Sequence, residues 1–169
     1  VIQLDSDTLT LAPIPEVLSA VHSNTSFAIG TWDNQRLESM RSRQEHASRI
    51  LHSSDAPAHI QVLAEANFDK LRRFNELNYI RGCSGFSGFG KNSFDKEFIE
   101  DISSGFFAAL GDRWREWGSE QVMSNIVVAN SGDAIVLPHP KYCDCTKIDS
   151  DQTTFIHFIG TCRFARNTY

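Results

Sequence analysis

The sequence lacks the features that mark several classes of protein. No apolar run approaches the roughly 20 residues that a membrane-spanning helix needs, so we expect no transmembrane segment. No cluster of Lys and Arg offsets the net charge of −5, which argues against a nucleic-acid partner. Neither a P-loop nor a dinucleotide fingerprint is present. The chain has 169 residues, of which 41% are hydrophobic and 22% are charged. This length and composition are typical of one soluble globular domain.

Cysteine is also scarce. The four cysteines, at positions 83, 143, 145 and 162, are too few and too scattered to suggest a disulfide framework. We therefore expect reduced thiols and a cytoplasmic location. A zinc site built from Cys143 and Cys145, with His139 before them and Cys162 after them, is an alternative, although its spacing matches no common zinc motif.

The hydrophobic pattern alternates between strands and helices, which predicts an α/β fold with a mixed sheet and flanking helices. Pro15 stands where the first position of a helix is expected, and Gly111 where a later helix should end. The segment 82–90 holds four glycines, which predicts a glycine-rich loop beside a strand. The predicted strands are a first apolar run that ends in Asp5-Ser-Asp7 and the segments 27–30, 134–137 and 153–160. The predicted helices cover 15–24, 58–74, 92–110 and 119–129.

Two carboxylates interrupt the first apolar run. Asp5 and Asp7 are spaced i, i+2, so that in a strand they would project from one face. Such a pair offers hard oxygen ligands to a divalent cation such as Mg²⁺ or Mn²⁺. The competing interpretation is a strand that simply ends in a turn, because Asp and Ser favour turns. His157 stands alone within the last apolar run, where it is either a core residue or a further metal ligand.

Three stretches resemble, in this order, the motifs of nucleotide-sugar glycosyltransferases with the GT-A fold. They are Asp5-Ser-Asp7, the helix start Glu120-Gln121, and His157-Phe-Ile-Gly. The nearest likeness is to glycosyltransferase family 8, in which an Asp-x-Asp motif and a late His bind the Mn²⁺ that holds the diphosphate of the sugar nucleotide. The resemblance implies that Asp5, Asp7 and His157 bind Mn²⁺ (or Mg²⁺) here.

The likeness extends to shorter motifs. The family's Asp-Gln-Asp-x-x-Asn helix start resembles the stretch from Glu120 to Asn125, which lacks the third carboxylate. Its Asn-Ala/Ser-Gly strand resembles Cys83-Ser-Gly, with Cys in place of Asn, and its closing His-x-x-Gly-x-x-Lys-Pro-Trp resembles the stretch from His157 to Arg163, without Pro-Trp.

The resemblance implies a hexosyltransferase-like enzyme that moves a sugar from a nucleotide sugar, such as a UDP-sugar, to a carbohydrate or other hydroxyl acceptor. Trp32 is a further ring that could stack on a sugar. The implied catalytic residues are Glu120 and Gln121, and the implied substrate-binding residues are Ser84, Gly85, Phe86, Trp117, Asn125, Gly160 and Arg163.

In the GT-A fold a nucleotide-binding half precedes the Asp-x-Asp strand, and three strand–helix units would need on the order of 100 residues. This chain begins at that strand, so we expect residues 1–169 to be the C-terminal part of one GT-A-like catalytic domain, without the N-terminal nucleotide-binding strands. Val1–Leu4 would then be an edge strand, open or covered by a second chain. We also expect weak nucleotide-sugar affinity and little activity from the fragment alone.

Two other functions remain open. A haloacid-dehalogenase-type phosphatase also starts from an apolar strand and Asp-x-Asp. That family has Thr or Val at the position where this chain has Leu9. Its late Gly-Asp motif is matched only weakly by Gly111-Asp112. A non-enzymatic carbohydrate-binding module would need no metal and would make no joint use of Asp5, Asp7 and His157.

Overall fold

The computed structural model describes residues 1–31, 36–53, 57–160 and 162. Within these residues the chain is an α/β protein with mixed β-sheets and flanking helices, as the sequence pattern predicts. The strands are β1 (Ile2–Leu4), β2 (Thr8–Thr10), β3 (Ser26–Gly30), β4 (Leu37–Ser39), β5 (Asn78–Ile80), β6 (Gly82–Gly88), β7 (Ala134–Leu137), β8 (Tyr142–Asp144) and β9 (Phe155–His157). The α-helices are α1 (Pro15–His22), α2 (Met40–His52), α3 (Ile60–Ala66), α4 (Lys96–Leu110) and α5 (Ser119–Ala129).

The main sheet has the strand order β1-β6-β3-β7. Strand β6 runs antiparallel to both β1 and β3, and β7 runs parallel to β3. The prediction of a glycine-rich loop at 82–90 is therefore wrong, because most of this segment is an inner strand. Its glycines permit close packing: a Cβ on Gly82 would overlap the carbonyl group of Ile29, and one on Gly88 would overlap the ring of Phe27.

A second sheet has the order β2-β9-β8, with β9 antiparallel to β2 and parallel to β8. The chain passes from the first sheet to the second at Asp5–Asp7. The first strand therefore ends in a turn, as the competing interpretation has it, and the two carboxylates do not share the face of one strand. Strand β1 ends at Leu4, and the turn that follows is fixed by the Thr8 hydroxyl, which donates to the Asp5 carbonyl at 2.9 Å. The Asp-x-Asp carboxylates lie in this turn between the two sheets.

The helix boundaries follow local chemistry. Pro15 is the first residue of α1, and Gly111, with φ of +59°, ends α4, as predicted. The N-cap of α4 is Asp95, whose carboxylate accepts from the Phe98 N–H at 2.7 Å, so the helix begins later than 92. Helix α3 is shorter than the predicted 58–74 and leads into a 3₁₀ turn at Phe68–Lys70.

Aromatic packing fills two parts of the core. Phe68 and Tyr79 meet edge to face, at 5.0 Å between ring centroids, among helices α2 to α5. Phe86 stacks on Phe155 at 4.5 Å between α1 and the two larger sheets, which joins β6 to β9. Buried aromatic rings of this kind contribute several kcal/mol each to stability, so this contact fixes β9 against the main sheet.

Strand β1 lies at the edge of the main sheet, as the sequence predicts. The side chains of Ile2 and Leu4 are 47% and 57% exposed there. None of the helices in the described residues is both long and apolar enough to cross a membrane.

The prediction that the thiols are reduced is wrong for one pair. Cys145 and Cys162 form a disulfide with a Cα–Cα distance of 6.1 Å, while Cys83 and Cys143 are free. The pairing uses two of the residues of the alternative zinc site, so that site is not formed. Since disulfides persist mainly in oxidising compartments, the cytoplasmic location loses the support of reduced thiols and stays a prediction.

Candidate metal centre

The pairing of β9 with β2 brings His157 close to Asp5 and Asp7. The strands are antiparallel with His157 opposite Thr8, the residue that follows Asp7. The Phe158 N–H donates to the Asp7 carbonyl at 2.9 Å, which closes β9 against the turn. His157 Nε2 consequently lies 3.4 Å from Asp5 Oδ2 and 3.3 Å from Asp7 Oδ1.

The three side chains differ in exposure, which gives the cluster an inner and an outer side. The His157 side chain is 7% exposed and that of Asp7 is 19% exposed, whereas that of Asp5 is 42% exposed. His157 Nε2 is buried and makes no hydrogen bond. A buried nitrogen of this kind is costly unless something binds it, so the arrangement favours a ligand that enters past Asp5.

The cluster fits one divalent cation. One ligand atom from each of Asp5, Asp7 and His157 lies within 4.8 Å of the others. Two atoms that bind one cation at about 2.1 Å are separated by about 3 Å when adjacent and about 4.2 Å when opposite. The two distances to Nε2 fall in this range. In the residues that the structure describes, no other group of three or more His, Cys, Asp or Glu side chains has this geometry.

The imidazole is held from behind by β6. Gly85 lies under the ring, and a Cβ there would overlap it. Cys83 Sγ lies 2.9 Å from His157 Nδ1, on the side of the ring away from the carboxylates. Burial, with a smaller contribution from the nearby carboxylates, raises the pKa of Cys83 to about 11, so this group is a neutral thiol at physiological pH.

Gln121 is joined to the strand that carries the site. Its Oε1 accepts from the Ser84 N–H at 3.4 Å, and its Nε2 donates to Gln61 Oε1 at 2.8 Å. Ser84 lies between Cys83 and Gly85, so Gln121 approaches the metal centre through the backbone of β6.

Glu120 and Trp117 lie at the start of α5. Glu120 is exposed, and its carboxylate accepts from the Gly118 N–H at 2.9 Å. Trp117 is 78% exposed and meets His59 edge to face at 5.7 Å. In the part of the chain that the structure describes, neither forms a hydrogen bond or ion pair with Asp5, Asp7 or His157.

Four of the predicted substrate-binding residues are buried: Ser84, Gly85, Phe86 and Asn125. Phe86 is 3% exposed and belongs to the core. Asn125 is fully buried, and its Nδ2 donates to the Gly82 carbonyl at 3.0 Å, which holds α5 against β6. In this conformation Phe86 and Asn125 support the site from beneath. Gly160 is exposed with φ of +51°. Arg163 and Trp32 lie outside the described residues.

Gln121 is fixed by a residue that no sequence motif indicates. Gln61 lies on α3, 60 positions earlier, and its Nε2 donates to the Tyr79 hydroxyl at 3.3 Å. That hydroxyl donates to Glu65 Oε1 at 3.1 Å. Burial raises the pKa of Glu65, against the opposing effect of Arg81. No local pattern marks Gln61, because its partners come from distant elements.

The chain matches no protein-family model, and searches of curated proteins and of solved structures also find no match. The resemblance to GT-A glycosyltransferases stays a prediction from the sequence motifs.

Proposed function

We propose that the chain acts as a GT-A-like glycosyltransferase, which uses a divalent cation to transfer a sugar from a nucleotide sugar to a hydroxyl acceptor. One observation carries the proposal: residues 152 positions apart, Asp5 and His157, meet with Asp7 in a group that fits a cation. The order of the motifs in glycosyltransferase family 8 requires these three residues to lie together, and only long-range folding can bring them together.

Asp5, Asp7 and His157 would hold the cation, Mn²⁺ or Mg²⁺. When bound, the cation stabilises as a Lewis acid the negative charge that develops on the departing diphosphate. The imidazole nitrogen in the ligand set favours Mn²⁺ over Mg²⁺. The exposed carboxylate of Asp5 lies on the side from which a diphosphate would enter, and the buried His157 closes the other side.

The acceptor side would be formed by β6 and the start of α5. Gln121 uses one of its two N–H groups to bind Gln61 and its carbonyl oxygen to bind the Ser84 N–H, so its amide has a fixed orientation. A fixed amide can orient a hydroxyl group or stabilise an oxocarbenium-like transition state without reorganisation. Glu120, exposed at the helix start, would supply a carboxylate beside it.

Sugar-nucleotide hydrolysis with and without Mn²⁺ tests the proposal. UDP-glucose and UDP-galactose are offered to the protein with Mn²⁺ and, separately, with a chelator. We expect release of UDP that requires Mn²⁺ and is lost in Asp7→Asn. Asp144→Asn is the matched control, because Asp144 lies opposite His157 in β8 but outside the cluster.

The same assay distinguishes the other functions. A phosphatase of the haloacid-dehalogenase type would hydrolyse a phosphate monoester and leave the glycosidic bond intact. A carbohydrate-binding module would bind sugar equally well with a chelator present. Either result would contradict the proposed transfer reaction.

A further inference from the structure

We propose that Cys83 is a positioning residue for His157, and that its thiol allows the imidazole to present Nε2 either as an N–H that faces the carboxylates or as a lone pair to a cation. This inference rests on the proposed metal site. It concerns the one position in the Cys83-Ser-Gly motif where this chain departs from the family it resembles.

The geometry places the two ring nitrogens in different surroundings. Nε2 lies 3.4 Å and 3.3 Å from the carboxylate oxygens of Asp5 and Asp7. Nδ1 lies 2.9 Å from Cys83 Sγ. Gly85 under the ring leaves no room for the imidazole to tilt toward β6. The ring can therefore change which nitrogen carries the proton more easily than it can change its position.

A neutral imidazole carries one N–H. Without a cation, two carboxylates near Nε2 favour the tautomer with the proton on Nε2, and Nδ1 then accepts a hydrogen bond from the thiol. With a cation, Nε2 must present its lone pair, and Nδ1–H then donates to the sulfur. A thiol is both a weak donor and a weak acceptor, so Cys83 serves both states by rotating its S–H.

This two-way role differs from the usual partner of a metal-binding His. A carboxylate or carbonyl next to Nδ1 can only accept a hydrogen bond, so it fixes the proton on Nδ1 before the metal binds. In this chain that fixed state would leave the Nε2 lone pair facing two carboxylates. Cys83 avoids the repulsion in the metal-free protein and still supports the tautomer that binds metal.

Nitrogen NMR of the His157 ring tests the tautomers directly. The ring ¹⁵N shifts are measured at about pH 8.5, where an ordinary imidazole is neutral. His157→Gln identifies the signals. In the wild-type protein we expect the proton on Nε2 without metal and on Nδ1 with Zn²⁺, a diamagnetic substitute for Mn²⁺. Cys83→Ser, whose hydroxyl is also donor and acceptor, should keep this exchange. Cys83→Ala should keep the proton on Nε2 without metal, because the two carboxylates remain, but its Nδ1 signal should shift, because Nδ1 loses its hydrogen-bond partner.

Mn²⁺ affinity, measured by calorimetry on the same proteins, provides the second readout. Loss of a partner behind a metal-binding His commonly weakens metal binding by about 10- to 100-fold, so we expect a fall in this range for Cys83→Ala and partial recovery in Cys83→Ser. Cys143→Ala is the matched control, because Cys143 is the other free thiol and lies in β8, beside the strand of His157. It should bind Mn²⁺ like the wild type.

The outcomes separate the two proposals. A wild-type protein that binds neither Mn²⁺ nor Zn²⁺ would overturn both the metal-dependent function and this inference. Normal metal binding together with unchanged ring shifts and affinity in Cys83→Ala would overturn only the role of Cys83. A ring that carries protons on both nitrogens at the test pH, in the wild type without metal, would also overturn it.

Discussion

Gly85 determines how close the His157 ring can lie to β6. A methyl group at this position would overlap three atoms of the ring, Cε1, Nδ1 and Nε2. We predict that Gly85→Ala displaces the ring from Asp5 and Asp7 and abolishes Mn²⁺ binding, as measured by calorimetry. The fold should survive with a loss of about 1–3 kcal/mol in the free energy of unfolding, the usual cost of overpacking.

Gly88→Ala is the matched control for that prediction. Gly88 lies on the same strand, and a Cβ there would overlap the ring of Phe27, away from the metal centre. We expect a comparable loss of stability with Mn²⁺ binding retained. Equal metal affinity in both variants would show that Gly85 does not place the imidazole.

Glu65 gives a pH-dependent prediction at the residue scale. Its side chain is 1% exposed, and burial raises its pKa above the usual 4.5 even though Arg81 lies nearby. Between 4.5 and the raised pKa of the folded state, Glu65 holds a proton in the folded protein that it has lost in the unfolded chain. Glu65 therefore makes the free energy of unfolding fall as pH rises from one value to the other. In Glu65→Gln this fall should be absent.

Urea unfolding between about pH 4 and about pH 7 measures the effect, since this range begins below the ordinary carboxyl pKa. The stability of Glu65→Gln relative to the wild type should rise with pH. Glu100→Gln, on the solvent side of α4, is the control for the loss of one exposed carboxylate. A relative stability of Glu65→Gln that stays constant or falls with pH would contradict the raised pKa.

At the scale of elements, a disulfide closes the segment that carries His157. Cys145 and Cys162 are 17 positions apart, and the Cys145 N–H donates to the His157 carbonyl at 3.0 Å. A loop of this length is stabilised by about 3 kcal/mol when it is cross-linked. We predict that Cys145→Ser with Cys162→Ser lowers the free energy of unfolding by about this amount and weakens Mn²⁺ binding.

Reduction of the wild-type protein by a phosphine should reproduce both effects. Cys143→Ser, which alters a buried free thiol in β8, should leave the response to reductant unchanged. If the reduced protein binds Mn²⁺ as tightly as the oxidised one, the disulfide contributes to stability alone.

At the scale of the whole molecule, local patterns predicted the elements whose ends carry local signals. Pro15 and Gly111 marked helix boundaries that the structure has. Local patterns failed at 82–90, where the glycines are explained by close approach to other elements: Gly85, for example, lies against a residue 72 positions later in the chain.

The candidate site was predicted only in part, for the same reason. Asp5, Asp7 and His157 were named from motif order, and the structure brings them together. The turn between two sheets that presents the carboxylates, and the roles of Cys83 and Gln61, depend on tertiary contacts that no local pattern encodes.

The candidate metal centre lies where the two larger sheets meet, and this leads to a prediction for the whole molecule. Asp5 and Asp7 lie in the turn from β1 to β2, and His157 lies in β9 of the second sheet. A cation that binds all three requires the folded arrangement and therefore stabilises it against unfolding. At a free concentration of 100 times its dissociation constant, this stabilisation is about 2.7 kcal/mol.

Urea unfolding over a range of Mn²⁺ concentrations measures this stabilisation by the cation. We expect the midpoint to rise with the logarithm of Mn²⁺ concentration in the wild type and to return to its original value with a chelator. Asp7→Asn should show no rise, because it removes a ligand. Asp144→Asn should respond like the wild type, because Asp144 is a neighbouring carboxylate outside the cluster. A rise that persists in Asp7→Asn, or one that disappears in Asp144→Asn, would mean that the cation binds elsewhere and that the ligand set is wrong.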